Sequence, residues 1–111
     1  TDKLIDLFTF HKGTKVAYAT DFDISEYNQK KLVPLIKDAD IFLCEAAYLQ
    51  QDIDLALQNG HQTTATAAQL ASLAQVKKLQ LFHHSLRYGK MENAVEKFTA
   101  EARDIFTEEI V

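Results

Sequence analysis

The order of apolar and polar positions along the chain predicts alternating strands and helices. Leu4 to Phe10 and Lys15 to Thr20 are rich in aromatic and branched residues, and the turn sequence His11-Lys12-Gly13-Thr14 between them predicts a hairpin. The continuous apolar run Ile41 to Cys44 is typical of a strand buried on both faces, and Leu79 to Phe82 predicts a further strand.

Helical patterns separate these strands. A short helix is expected to begin at Ser25 or Asn28 and to run towards Asp38, with Pro34 either kinking it or starting its last piece. A second helix is predicted from Tyr48 to Gln58, where Asn59-Gly60 forms a stop signal.

Two more helices are predicted in the second half of the chain. The first is capped by Thr63 or Thr64, and its small apolar stripe consists of Ala67, Leu70, Ala71 and Ala74. The second is a long amphipathic helix from Met91 to Phe106. Strands that alternate with helices predict an α/β layered fold in which at least part of the sheet is parallel.

Composition narrows the classes of protein that fit this pattern. The chain has 111 residues with 47% hydrophobic and 25% charged residues, which predicts a single compact unit over residues 1–111 and no membrane span. Its formal net charge of -4 provides no overall basic field, so any nucleic-acid binding must be local. The single cysteine, Cys44, cannot form an internal disulfide and is expected to be a core residue in a cytoplasmic protein.

The start of the chain also bears on its organisation. Residue 1 is Thr and the first apolar run begins at Leu4, which suggests a chain entered in the middle of a domain. A processed N-terminus on a complete small protein is the alternative, and length does not decide between them.

Residue types that bind metals or move protons follow three of the predicted strands. Asp21, Glu45 and His83 stand at these strand ends, and His61 lies nearby in the sequence. Ligands bind at the carboxyl ends of strands in α/β sheets, so these side chains are expected to share one site. The alternative is that polar residues simply begin loops. Because neighbours on an extended segment point to opposite sides, His84 is not expected to bind the same ion as His83.

Two further stretches are suited to holding an anion. His61 directly precedes a predicted helix cap, where a phosphate or carboxylate could dock, although a structural loop histidine fits equally well. Ser85 and Arg87, followed by Tyr88, offer a hydroxyl, a guanidinium and a phenol, while an exposed Arg87 could instead be a solvated charge. The carboxylate and imidazole at the strand ends make up half of a metal site, because four ligands in a recognisable spacing are absent.

Four stretches of the chain resemble a known family in their order and spacing. They are 16–21 (VAYATD), 38–48 (DADIFLCEAAY), 60–65 (GHQTTA) and 81–88 (LFHHSLRY). Through them the chain resembles the second half of metallo-β-lactamase fold hydrolases, most closely ribonuclease Z and its relatives, from Lys15 to Phe106. The resemblance implies an α/β fold that is half of an αββα sandwich, with a mixed sheet flanked by helices, so that residues 1–111 form the C-terminal half of the domain.

The resemblance also implies a site with two divalent metal ions, zinc or else manganese. Asp21 matches the carboxylate that bridges the two metals, and His83 matches the terminal histidine on the second one. A metal-bridged hydroxide would attack a phosphodiester. Glu45 and His61 match a pair that assists proton transfer, in which Glu45 orients His61 and His61 protonates the leaving oxygen.

Substrate contacts and partners follow from the same resemblance. Ser85 and Arg87 fall where relatives contact the substrate phosphate, and the substrate would be an RNA or a small phosphodiester. The chain lacks the first-half histidine motif, so we expect it to be inactive and metal-free alone, with the missing N-terminal half as its partner. The sheet face that this half would cover is expected to make the isolated chain a homo-oligomer.

Three positions depart from the family pattern. Cys44 replaces a histidine, Gln62 replaces a serine, and His84 replaces an apolar or aromatic residue. These departures leave open a more general phosphodiesterase, or a hydrolase of another ester. A stand-alone α/β interaction module with structural histidines is the alternative from a different class.

Overall fold

The computed structural model of the chain describes residues 7–11, 13–20, 22 and 25–111. Within these residues, five strands form one sheet in the order β1-β2-β3-β4-β5. They are β1 (Leu7–His11), β2 (Thr14–Ala19), β3 (Ile41–Glu45), β4 (Lys78–Phe82) and β5 (Glu109–Ile110). The first two form the predicted antiparallel hairpin, and β2 to β5 are parallel to one another. The sheet is therefore mixed, as the sequence predicts, while the predicted strand residues 4–6 lie outside the described residues.

The helices fill the connections between the strands. They are α1 (Glu26–Ile36), α2 (Ile53–Asn59), α3 (Thr64–Leu73) and α4 (Ala94–Arg103), with short 3-10 turns at Gln50–Asp52 and Leu86–Tyr88. None of the helices in the described part of the chain has the length and apolar character that crossing a membrane requires. This alternation of helices and parallel strands is the predicted α/β fold.

Side-chain caps determine where α1 and α3 begin. The Ser25 hydroxyl accepts a hydrogen bond from the Asn28 backbone N–H at 3.1 Å, so Ser25 is the cap of α1 and Pro34 lies inside the helix. Thr63 caps α3 through a reciprocal pair of bonds, in which its hydroxyl accepts from the Thr66 N–H and its own N–H donates to the Thr66 hydroxyl. The cap fixes the first turn of α3 at the edge of the sheet.

One face of the sheet is closed by helices. α3 contacts β3 and β4, and α1 and α4 contact α3. The sheet residues on this side are fully buried, and they are Ala17, Ala19, Phe42, Cys44 and Leu79. The opposite face is half-buried and apolar at Val16, Tyr18, Ile41, Leu43 and Phe82. Cys44 is thus a core residue, as predicted, and burial raises the pKa of its thiol well above the ordinary value.

The predicted helix from Tyr48 to Gln58 is wrong at its start, since the α-helix begins at Ile53. Tyr48 is extended and forms a parallel bridge with Thr63. Its backbone N–H donates to the Gln62 carbonyl at 3.3 Å, so its hydrogen bond is made outside a helix.

The last helix is shorter than the prediction of Met91 to Phe106. It begins after Asn93, whose φ of 58° lies in the left-handed region, and ends at Arg103. Phe106 is nevertheless buried in the core. Its apolar side chain fits the helical spacing although the residue lies beyond the end of the helix. The two-residue strand β5 was not predicted, because it is too short to show any periodicity.

The Asp40 carboxylate fastens the amino-terminal end of the parallel strands. Its oxygens accept hydrogen bonds from the Lys15 backbone N–H at 2.7 Å and from the Lys77 ammonium at 3.1 Å. These contacts lower the pKa of Asp40 below its usual value of 3.8. The hydrogen bond from the Lys15 backbone has the larger effect, and the hydrogen bond from the Lys77 side chain has the second largest.

We expect this lowered pKa to make the Asp40 contribution to stability depend on pH. Since the folded pKa lies below the unfolded one, the contribution is complete above pH 3.8 and is lost as the pH falls through the folded value. Asp40→Asn should therefore lower the free energy of unfolding at pH 7 and have little effect near pH 2. Urea titrations at both pH values test this, with the exposed Asp54→Asn as control. A loss in the free energy of unfolding that is the same at both pH values would contradict this prediction.

Candidate functional site

The carboxylate of Glu45 lies fully buried at the carboxyl end of β3. Its Oε1 accepts a hydrogen bond from the Thr20 hydroxyl at 3.1 Å, at the end of β2. Its Oε2 accepts one from the Gln62 backbone N–H at 3.2 Å, just before α3. A buried carboxylate needs such donors, because it leaves its hydration shell when it is buried. Glu45 therefore joins three segments of the chain.

The imidazole of His61 is paired with this carboxylate. His61 Nδ1 lies 2.7 Å from Glu45 Oε2, and the ring remains 27% exposed. Because an ionised carboxylate only accepts hydrogen bonds, the pairing places a proton on Nδ1. Nε2 is then the nitrogen that can exchange a proton with a ligand. Gly60 permits the sharp turn before His61, since its φ of 71° favours a residue without a side chain.

His83 reaches the same carboxylate from the end of β4. Its Nδ1 lies 3.5 Å from Glu45 Oε1, and its ring stands edge-on to the His61 ring with centroids 5.8 Å apart. The His83 backbone has a φ of 64°, an uncommon conformation for a residue with a side chain. About half of the ring is exposed, so this imidazole is accessible at the surface of the site.

The neighbouring His84 has different partners from His83. Its Nδ1 lies 2.9 Å from the Ala46 carbonyl oxygen, which can only accept, so this nitrogen donates. The ring packs on Phe98 of α4 with centroids 3.9 Å apart. His84 therefore fastens α4 to the segment that follows β3.

Ser85 and Arg87 lie together in sequence, but their side chains face different parts of the molecule. The Ser85 hydroxyl accepts a hydrogen bond from the Arg87 backbone N–H at 3.3 Å. The Arg87 side chain points towards Asp52, with Nε 3.6 Å from Oδ2. Ser85 lines the pocket beside His61 and His83, and Arg87 does not.

Tyr88 links this turn to the start of α2. Its hydroxyl donates to the Asp52 carboxylate and accepts from the Leu49 backbone N–H at 3.0 Å. The pKa of Tyr88 is raised to about 12, mainly by burial of the phenol and secondly by its hydrogen bond to Asp52. No sequence signal predicts this linking role, because the partners are 36 and 39 residues away along the chain.

An open pocket of about 440 Å³ lies over the paired side chains. Its lining residues are Ala47, Tyr48, His61, His83, His84, Ser85 and Leu86. Asp21, the remaining predicted strand-end ligand, lies outside the described residues. Among the residues that the structure does describe, there is no group of three or more histidine, cysteine or acidic side chains placed to hold a metal ion. The described residues alone therefore do not fit a complete metal centre.

No protein-family model matches the chain. It is 38% identical over 100 residues to a ribonuclease Z from Picosynechococcus sp., a match that covers 89% of this chain and 30% of that protein. The chain thus spans about 30% of the length of that curated relative.

Two solved structures are similar to the chain in fold. The metallo-β-lactamase fold protein YhfI from Bacillus subtilis superposes with a TM-score of 0.70 at 22% identity, covering 87% of this chain and 36% of that one. The short form of human tRNase Z superposes with a TM-score of 0.63 at 31% identity, covering 72% of this chain and 30% of that one. The chain therefore has part of the metallo-β-lactamase fold, and its sequence is similar to about 30% of the length of a ribonuclease Z.

Proposed function

We propose that the chain belongs to a metal-dependent hydrolase that cleaves phosphodiester bonds, and that its substrate is an RNA. The observation that carries this proposal is the 2.7 Å contact between His61 Nδ1 and the buried Glu45 carboxylate, beside the accessible ring of His83. The relatives named ribonuclease Z and tRNase Z support the choice of an RNA phosphodiester. The single cysteine is buried, which is compatible with the cytoplasm as the setting.

The Glu45–His61 pair supplies the proton that cleavage requires. An RNA chain leaves as an alkoxide, which is a poor leaving group unless its oxygen is protonated as the bond breaks. The Glu45 carboxylate accepts a hydrogen bond from His61 Nδ1 and so orients the ring. In its imidazolium form His61 would then give the Nε2 proton to the leaving oxygen and return to the neutral ring. Burial of Glu45 keeps this carboxylate from swinging into solvent.

Asp21 and His83 are the residues of this chain that we assign to metal binding, with the remaining ligands coming from protein outside these residues. When bound, divalent ions stabilise negative charge on phosphoryl oxygens. Zinc suits a mixed set of imidazole and carboxylate ligands, and manganese is the second choice. The position of His83 at the end of β4 leaves its ring accessible from the pocket.

The half-buried apolar sheet face supports the proposal of a further contact on this side. Tyr18 and Phe82 stack on this side with ring centroids 5.1 Å apart, next to Leu43 of the central strand. Apolar surfaces of this kind are normally covered in a folded protein. We assign the cover to the N-terminal half of the same fold, and in its absence to a second copy of the chain.

Mutations in the full-length protein separate the proton pair from the metal ligands. We expect His61→Ala to lower kcat on an RNA phosphodiester by about 10²- to 10⁴-fold with zinc affinity kept. Glu45→Gln should lower kcat as well. Asp21→Asn and His83→Ala should instead abolish zinc binding and activity together. The exposed Glu92→Gln is the matched control for the glutamate change. Zinc content by elemental analysis and steady-state kinetics measure both effects, and activity that survives in both ligand variants would refute the site.

Arg87 distinguishes a phosphate substrate from a neutral ester. If its guanidinium contacts the substrate phosphate, Arg87→Ala should raise KM for a phosphodiester by about tenfold and leave a neutral ester unaffected. Arg103→Ala, at the exposed end of α4, is the matched control. Equal losses on the two substrates would show that Arg87 acts through its contact with Asp52 and has no role as an anion clamp.

A further inference from the structure

Asp52 directly precedes α2, at a position where an aspartate is well suited to cap a helix. Its carboxylate nevertheless makes no cap hydrogen bond to α2, all of whose residues the structure describes. It faces the Leu86–Tyr88 turn instead, and only 15% of the side chain is exposed. A carboxylate that has lost most of its water needs donors from the protein, and here they come from this distant turn.

Two consecutive residues of the turn contact this carboxylate. The Tyr88 hydroxyl donates a hydrogen bond to Asp52 Oδ2, and Arg87 Nε lies 3.6 Å from the same oxygen. The Tyr88 hydroxyl also accepts from the Leu49 backbone N–H at 3.0 Å. The Tyr88 ring is buried edge-on against Phe98, with centroids 5.1 Å apart. The carboxylate therefore joins a phenol that is fixed on its other sides to a guanidinium that is about half exposed.

The beginning of the same turn forms part of the pocket wall. Ser85, which caps the turn, donates its backbone N–H to the Ala47 carbonyl at 2.8 Å. Ser85 and Leu86 both line the pocket beside His61. Leu86 is 95% exposed, so its side chain gives the turn little support. The turn is thus held at its beginning by a backbone hydrogen bond and at its end by the contacts of Asp52.

A guanidinium that is held through Nε keeps its terminal NH2 groups as donors for another anion. These groups form a planar fork that matches a phosphate, so a contact at Nε sets the direction of the fork without occupying it. A long side chain that is oriented beforehand also loses less rotamer entropy on binding. An anion between the terminal groups lies at the opposite end of the guanidinium from Nε, where water screens its repulsion from the carboxylate.

We propose that Asp52 is a positioning residue that holds the Leu86–Tyr88 turn against α2 and orients the Arg87 guanidinium towards an anionic group of the substrate. The orienting role rests on the proposed function, in which Arg87 contacts the substrate phosphate. Asp52 itself does not touch the substrate and acts through its two partners in the turn. Loss of its charge should therefore weaken substrate binding and leave the rate of the bound complex unchanged.

Two Asp52 variants of the full-length protein separate the contacts. Asp52→Ala removes both of them, whereas Asp52→Asn keeps an oxygen that can accept from the Tyr88 hydroxyl and loses only the charge. The asparagine variant also covers the case in which the alanine variant does not fold. Asp54→Ala and Asp54→Asn, at an exposed position of α2, are the matched controls.

Hydrogen exchange measured by NMR reports on the turn without requiring activity. The Leu49 N–H should exchange about tenfold faster in Asp52→Ala, because the Tyr88 oxygen that accepts it is no longer held. In Asp52→Asn we expect about a threefold increase, because a neutral acceptor replaces a charged one. The Arg87 Nε–H signal, assigned by its absence in Arg87→Ala, should exchange about threefold faster in both Asp52 variants.

A double-mutant cycle tests whether the effect on the substrate passes through Arg87. Asp52→Asn should raise KM for an RNA phosphodiester by about threefold with kcat unchanged. In the Arg87→Ala background the same substitution should leave KM unchanged, because the group that it orients is gone. An equal rise in both backgrounds would overturn the proposal, since Asp52 would then act independently of Arg87. A fall in KM would also overturn it, because the carboxylate would then compete with the substrate for the guanidinium.

The exchange measurements can overturn the proposal separately. Leu49 exchange that matches the Asp54 controls in both variants would show that the carboxylate does not hold the turn. An unchanged Arg87 Nε–H would show that it does not orient the guanidinium. If the wild-type protein cleaves no phosphodiester, the proposed function fails, while exchange at Leu49 and Arg87 still decides whether Asp52 positions this turn.

Discussion

The burial of the Glu45 carboxylate is the constraint on which the rest of this site depends. A carboxylate without water around it must receive hydrogen bonds from the protein, and the donors here come from separate parts of the chain. Thr20 follows β2 and the Gln62 N–H precedes α3, while the rings of His61 and His83 approach from two loops. The site can therefore form only when the parallel strands and α3 are already in their final register.

The packing of α3 explains how these loops reach the carboxylate. Its face towards the sheet is built from buried small residues, which allow the helix to lie close to β3 and β4, and they include Ala67, Ala68 and Ala71. Thr63 fixes the first turn by its reciprocal bonds with Thr66, and the Thr64 N–H donates to the Tyr48 carbonyl at 2.8 Å. The start of α3 is thereby attached to the segment after β3, and His61, three residues before Thr64, is held beside Glu45.

Much of this arrangement could be predicted from residue patterns. The apolar runs before Glu45 and His83 predict that both residues lie at the carboxyl ends of parallel strands. Parallel strands bring residues at these ends together, independently of the rest of the fold. The extended conformation of Tyr48 could not be predicted, because it depends on a carbonyl 14 residues later, that of Gln62. The left-handed backbone of His83 has no sequence signal either, since any residue that the surrounding structure holds firmly can adopt it.

For the RNA substrate proposed above, the charges of the chain would require recognition at short range. With a formal net charge of -4, the chain has no long-range field that would draw an RNA towards it. The described lining residues include histidines and no lysine or arginine, and the nearby Arg87 is shared with Asp52. A negatively charged substrate must therefore gain its attraction from groups that it contacts directly, or from parts of the protein outside this chain. A small displacement of His61 or Arg87 would therefore weaken substrate binding more than the loss of a distant surface charge. Contact interactions decrease within a few ångströms, and the net charge of the chain adds no attraction for an anion.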